Sequence, residues 1–157
     1  NKNLQFSVHD MRENYQENSF DVVTNLFTSY GYFENNKDEQ KAINAMANNL
    51  KKEGILIIDF MNAKKVIANL VLNEQKTINN IQFDITRQVK DGFILKDIRI
   101  TDGKEQQFQE KVKAITLADY SEFITNAGLK IIDIFGNYKL DNFDEKISDR
   151  LILICKK

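Results

Sequence analysis

The run Ile55-Leu56-Ile57-Ile58-Asp59-Phe60 is apolar on both of its alternating sides. Such a strand needs cover above and below, the condition of a central strand in a parallel sheet between helices. The residues upstream fit that demand. Phe20-Asp21-Val22-Val23-Thr24-Asn25-Leu26-Phe27 reads as a second strand with a nearly continuous apolar middle. Between the two, Ile43, Met46, Ala47 and Leu50 fall on one helical stripe. Asn36 with Glu39 resembles a capping box at the start of that helix; Lys51 and Lys52 suit its negative dipole end, and Gly54 ends it. Strand, helix, strand in this order is a crossover unit, which makes the two strands parallel.

Leu4-Gln5-Phe6-Ser7-Val8 alternates apolar and polar residues and predicts an earlier, half-covered strand. Downstream, a short helix carries Val66, Ile67, Leu70 and Val71 on one side, and then the period changes to two. Ile81, Phe83, Ile85, Arg87 and Val89 alternate with polar residues, as do Ile94, Ile98 and Ile100, and then Phe108, Val112 and Ala114. Asp91-Gly92 and Asp102-Gly103 separate these runs and are strong hairpin signals. The pattern predicts a three-stranded antiparallel meander over residues 76–115, inserted into an α/β core made by residues 1–75 and 116–157. Thr116 with Asp119 caps the last long helix, Leu117, Tyr120, Ile124 and Ala127 form its stripe, and Gly128 closes it. Strands follow at 129–135 and 151–155. No helical stripe separates them, so they pair antiparallel.

At 157 residues the chain is one domain by length and needs no metal or disulfide staple. Cys155 is the only cysteine and sits in an apolar run, as a buried hydrophobe does. The net charge of -1 offers no field for a nucleic-acid backbone or an anionic membrane. No apolar stretch approaches the ~20 residues of a membrane span. No leader peptide is apparent, and a cytoplasmic location is the expectation. Proline is absent while Asn, Lys and Ile abound, as the codons of an AT-rich genome would produce.

Several local sequences carry a family resemblance. The Phe20-Asp21 pair that opens Phe20–Asn25, the turn Leu50-Lys51-Lys52-Glu53-Gly54 before Ile55–Asp59, and Ala127-Gly128-Leu129-Lys130-Ile131 recur in order. Gly136-Asn137-Tyr138 and Asp149-Arg150-Leu151-Ile152-Leu153-Ile154 follow. Together with the terminal antiparallel hairpin they resemble the C-terminal portion of a class I, Rossmann-like S-adenosylmethionine-dependent methyltransferase of the small-molecule type. Glu53 stands where many members have a glycine. The family's first two strands and the glycine-rich loop that holds the cofactor have no counterpart here. Leu4–Val8, matching its third strand, therefore has no native neighbour within the chain.

The resemblance implies methyl transfer from S-adenosylmethionine to a small-molecule acceptor, with no nucleic-acid partner and no membrane partner. It also implies that the chain is a fragment, inactive alone, whose open apolar edges invite a homodimer. The alternative is a non-catalytic Rossmann-like binding or interaction module. Carried onto this sequence, the family places Asp10 and Met11 at the adenine, and Asn25, Leu26 and Phe27 beside the sulfonium. Tyr30 and Tyr32 follow in an aromatic loop whose faces attract a sulfonium cation. Asp59 and Asn62 end a strand near the acceptor, Asp59 serving either to orient or deprotonate its hydroxyl or amine or as a helix cap. Arg99 lies with Arg87 on a meander that would roof the pocket, and Tyr138 near its mouth. No metal is implied, and no residue is singled out as a catalytic base.

Overall fold

The computed structural model describes residues 4–157. Eight strands and three helices form two sheets. The first sheet has the order β1-β2-β8-β7, with β1 at Phe20–Asn25, β2 at Leu50–Met61, β7 at Lys130–Phe135 and β8 at Arg150–Lys156. β1 and β2 run parallel, and β8 enters antiparallel between β2 and β7. This is the direction of the three segments that the sequence predicts.

Alternation along these strands sorts two faces. Leu56, Ile58 and Phe60 of β2 and Leu151, Leu153 and Cys155 of β8 share one face, and all are buried. Ile43, Met46 and Ala47 of α1 (Asn36–Asn49) and Tyr120, Phe123 and Ile124 of α3 (Leu117–Asn126) complete that core. Each such side chain stabilises the fold by roughly 1.5–3 kcal/mol through removal from water. The opposite face carries no helix among the described residues. There Ile55, Ile57 and Ile154 are half-buried, and Val22 and Ile132 are 51% and 44% exposed.

The helix termini follow local chemistry. Thr116 and Asp119 make a reciprocal capping box at α3. At α1 the cap is Asn35, which accepts from the Asp38 N–H, one residue before the predicted Asn36. α1 ends at Asn49 and β2 already begins at Leu50, so the predicted helix overran by four residues. Glu53 has φ +66, which explains why a glycine suits that position. Its neighbour Gly54 has no room for a side chain, because a Cβ would lie 2.8 Å from the Lys51 carbonyl oxygen.

The second sheet, in order, is β3 (Asn73–Ile78), β4 (Ile81–Lys90), β5 (Phe93–Asp102) and β6 (Lys104–Lys113), all antiparallel. It has one strand more than predicted. β3 has the sequence Asn-Glu-Gln-Lys-Thr-Ile, with one apolar residue in six, so it shows no alternation to read. Asn79 and Asn80 both adopt positive φ in the turn that joins it to β4. The sheet is anchored at its base, where the Lys113 N–H donates to the Gly31 carbonyl at 2.7 Å and Val112 joins the core.

Leu4–Val8 has a strand-like alternation but forms no strand, in keeping with its lack of a native neighbour within the chain. Leu4, Phe6 and Val8 are 60%, 89% and 107% exposed. Alternation alone cannot hold a strand without a neighbour to take its hydrogen bonds. The fully buried Leu153 tests the core. Leu153→Ala should lower the unfolding free energy by about 3 kcal/mol, read by urea denaturation, with an unchanged slope on denaturant concentration.

Candidate active site at the strand ends

β1 and β2 deliver their carboxyl ends to one edge of the sheet, and the antiparallel β8 delivers its amino end there. Small-molecule sites in open α/β sheets lie at that edge. Asp59, near the end of β2, has a side chain that is 2% exposed, and its charge is fully engaged. Its Oδ1 accepts from Arg150 Nε at 2.7 Å. Its Oδ2 accepts from the Phe27 N–H at 3.0 Å and the Tyr138 hydroxyl at 2.9 Å. The Thr28 N–H donates to the Asp59 backbone carbonyl at 3.0 Å. Arg150 also donates to Thr28 Oγ1 at 3.1 Å, and its guanidinium lies 5.9 Å from the Tyr138 ring centroid. A buried carboxylate survives because both of its oxygens accept hydrogen bonds, one of them from a cation. Desolvation, and then the bond to Asp59, raise the Tyr138 pKa above its ordinary value.

Phe27 and Thr28 adopt φ of +58 and +59 in succession. The left-handed region costs a non-glycine residue of order 1–3 kcal/mol, most for a β-branched one. The turn leaves Phe27 76% exposed and Leu26 37% exposed at the strand end. Asn25, by contrast, is 6% exposed, and its Oδ1 has no partner among the described residues.

The structure thus brings Asn25, Leu26, Phe27, Asp59 and Tyr138 to one edge. Other sequence-selected residues have different surroundings. Asn62 is the N-cap of α2 (Ala63–Ala68), and its amide donates to the Glu145 and Ser148 carbonyls at 2.9 Å each. The cap role weighed for Asp59 is taken by Asn62. Tyr30 is a core residue, 1% exposed, whose hydroxyl donates to the Glu39 carbonyl at 2.7 Å. Tyr32 is 54% exposed. Asp10 is bound by Arg12 at 2.6 Å, which holds its carboxyl well below the usual range, and Met11 packs against the core. Arg99 pairs with Glu105 at 3.2 Å on the face of the meander opposite Arg87, which pairs with Glu74. That polar face forms a concavity of about 730 Å³ containing Asp84, Asp97, Arg99 and Gln109, none of them from the strand ends. Burial pushes the Cys155 thiol up to about 12, so it is no nucleophile.

Two features were missed from sequence. The Arg150–Asp59 pair depends on the β8 register, although an arginine opening a strand beside a strand-end aspartate is a usable signal. The other lies beneath the site: Glu39 is 0% exposed and neither carboxylate oxygen has a partner among the described residues. The Tyr120 hydroxyl is likewise buried and unpartnered, and its ring lies 5.5 Å from that of Tyr30.

Desolvation raises the Glu39 pKa above its ordinary 4.5, against the weaker pull of the Tyr30 hydroxyl and the Lys113 ammonium. The unfolded chain therefore loses this proton before the folded one. Stability falls as pH rises above the unfolded value, by up to about 1.4 kcal/mol per pH unit, until the folded group ionises. Glu39→Gln should abolish that slope, so unfolding free energies measured between about pH 4 and about pH 8 should shift in favour of the variant.

No family model matches the chain, and no curated protein matches it. Solved structures do. An S-adenosylmethionine-dependent methyltransferase from Clostridium acetobutylicum superposes with a TM-score of 0.78 at 20% identity, over 96% of this chain and 63% of that one. The CcbJ methyltransferase from Streptomyces caelestis gives 0.79 at 12% identity, over 94% and 61%. A sugar N-methyltransferase from Streptoalloteichus gives 0.69 at 14% identity, over 93% and 60%. The chain has the class I methyltransferase fold as a partial Rossmann-like sheet, and it spans less than two-thirds of the length of each of these proteins.

Proposed function

We propose that this chain is the acceptor-side part of an enzyme that transfers a methyl group from S-adenosylmethionine to a small molecule. The observation that carries the reading is the convergence of Asn25, Phe27, Asp59 and Tyr138 at the carboxyl edge of a sheet with the methyltransferase strand order. The residues present fit part of the cofactor. The buried, unpartnered Asn25 Oδ1 is an acceptor suited to an amino group, and the exposed Phe27 ring suits a cation. When bound, S-adenosylmethionine supplies a methyl on a positively charged sulfur, which is already an excellent leaving group. The work left to the side chains is alignment and exclusion of water, where proximity contributes several kcal/mol. Leu26 and Phe27 then serve the cofactor side, together with Asp10 and Met11. Tyr32 and Tyr138 serve the acceptor side, and Asp59 and Asn62 fix the strand-end backbone.

An acceptor of small-molecule size agrees with the net charge of -1, which gives no basic field for a nucleic acid. No described helix is long and apolar enough to cross a membrane. Two structurally similar proteins are described as an amino pentose methyltransferase and a sugar N-methyltransferase, which supports an amine or hydroxyl on a small molecule as the acceptor. The bare face of the first sheet fits a fragment, or a surface for a second copy. The fragment reading predicts that calorimetric titration of S-adenosylmethionine into the 157-residue chain gives weak binding or none. Micromolar affinity would overturn it, and S-adenosylhomocysteine binding by a longer version of the chain would support the enzymatic reading.

A further inference from the structure

Phe27 and Thr28 are two consecutive non-glycine residues in the left-handed region, and Thr28 is β-branched. Nothing in a Phe-Thr sequence favours that conformation. Three contacts impose it from outside the loop. The Phe27 N–H reaches Asp59 Oδ2, the Thr28 N–H reaches the Asp59 carbonyl, and Arg150 reaches Thr28 Oγ1. The same guanidinium holds Asp59 Oδ1, so one cation orients the carboxylate and grips the loop that the carboxylate binds. Tyr138, the remaining donor to Asp59, touches neither loop amide and stands 63% exposed.

We propose that Asp59 and Arg150 are positioning residues: together they hold Phe27 and Thr28 in the left-handed turn that aims Leu26 and Phe27 at the ligand site. Asp59 is not a general base, since both oxygens are spent. The proposal rests on the methyltransferase reading for the identity of the ligand, and on the geometry alone for the turn.

The test uses the full-length protein and two readouts, amide hydrogen exchange at residues 26–29 and titration with S-adenosylhomocysteine. Arg150→Met should speed exchange at Phe27 and Thr28 at least tenfold and weaken binding at least tenfold. Arg150→Lys, which keeps the charge but loses the fork, should fall between, and it serves alone if Arg150→Met does not fold. Tyr138→Phe should leave exchange at the two amides within twofold. Adding Thr28→Gly to the arginine variant relieves the strained residue, so the thermal midpoint should recover while affinity does not. Unchanged exchange in the arginine variants overturns the proposal, and so does affinity that recovers with the midpoint. A parent protein that binds no S-adenosylhomocysteine would sink the methyltransferase reading, leaving the exchange comparison to decide the positioning role.

Discussion

The layer of side chains between the first sheet and its two helices determines what else this chain can do. Leu56, Ile58 and Phe60 on β2, with Leu151, Leu153 and Cys155 on β8, form a patch that α1 and α3 cover together with Tyr30, Val112 and Ile115. Because α1 connects β1 to β2, its docking on the patch goes with the parallel pairing of these two strands. The parallel pair in turn sends two chain reversals to the same edge. Without that coincidence Phe27 and Asp59 would not meet, and there would be no candidate site.

The site spends stability to gain geometry. Asp59 is taken out of water, Phe27 and Thr28 accept a disfavoured backbone, and Glu39 lies unpaired below them. Each is a local conflict of the kind that collects at functional sites. Asp59 lies near the end of β2, Phe27 and Thr28 follow β1, and Glu39 is on α1, and the burial of the core layer offsets what they cost. The meander shows the opposite economy. Its Arg99–Glu105 pair is solvent-exposed and worth little.

Much of this was legible in the sequence, and the failures have physical causes. β2 and β8 were readable because a strand buried in a sheet interior must be apolar along its length, and β1, at the sheet edge, was readable from its short apolar middle. The Thr116 box and the Asp91-Gly92 turn were readable because capping and positive φ select few residue types. β3 was not, since an exposed edge strand puts no demand on its residues, and only the Asn79-Asn80 turn announced it. Leu4–Val8 shows that period two reports a tendency and not a partner, and the resemblance already implied that its partner was missing. Asp59 and Tyr138 meet at the carboxyl edge of the sheet. Their joint engagement with Arg150, 91 residues from Asp59, depends on strand register, which no local pattern encodes.

The strand that completes the first sheet is also the last of the eight to be made. β8 lies between β2 and β7, so neither has its inner neighbour until the polypeptide has emerged past Lys156. During synthesis the apolar β2 waits with one edge unsatisfied, paired at most with β1. Loss of β8 would therefore remove the centre of the sheet and not its margin.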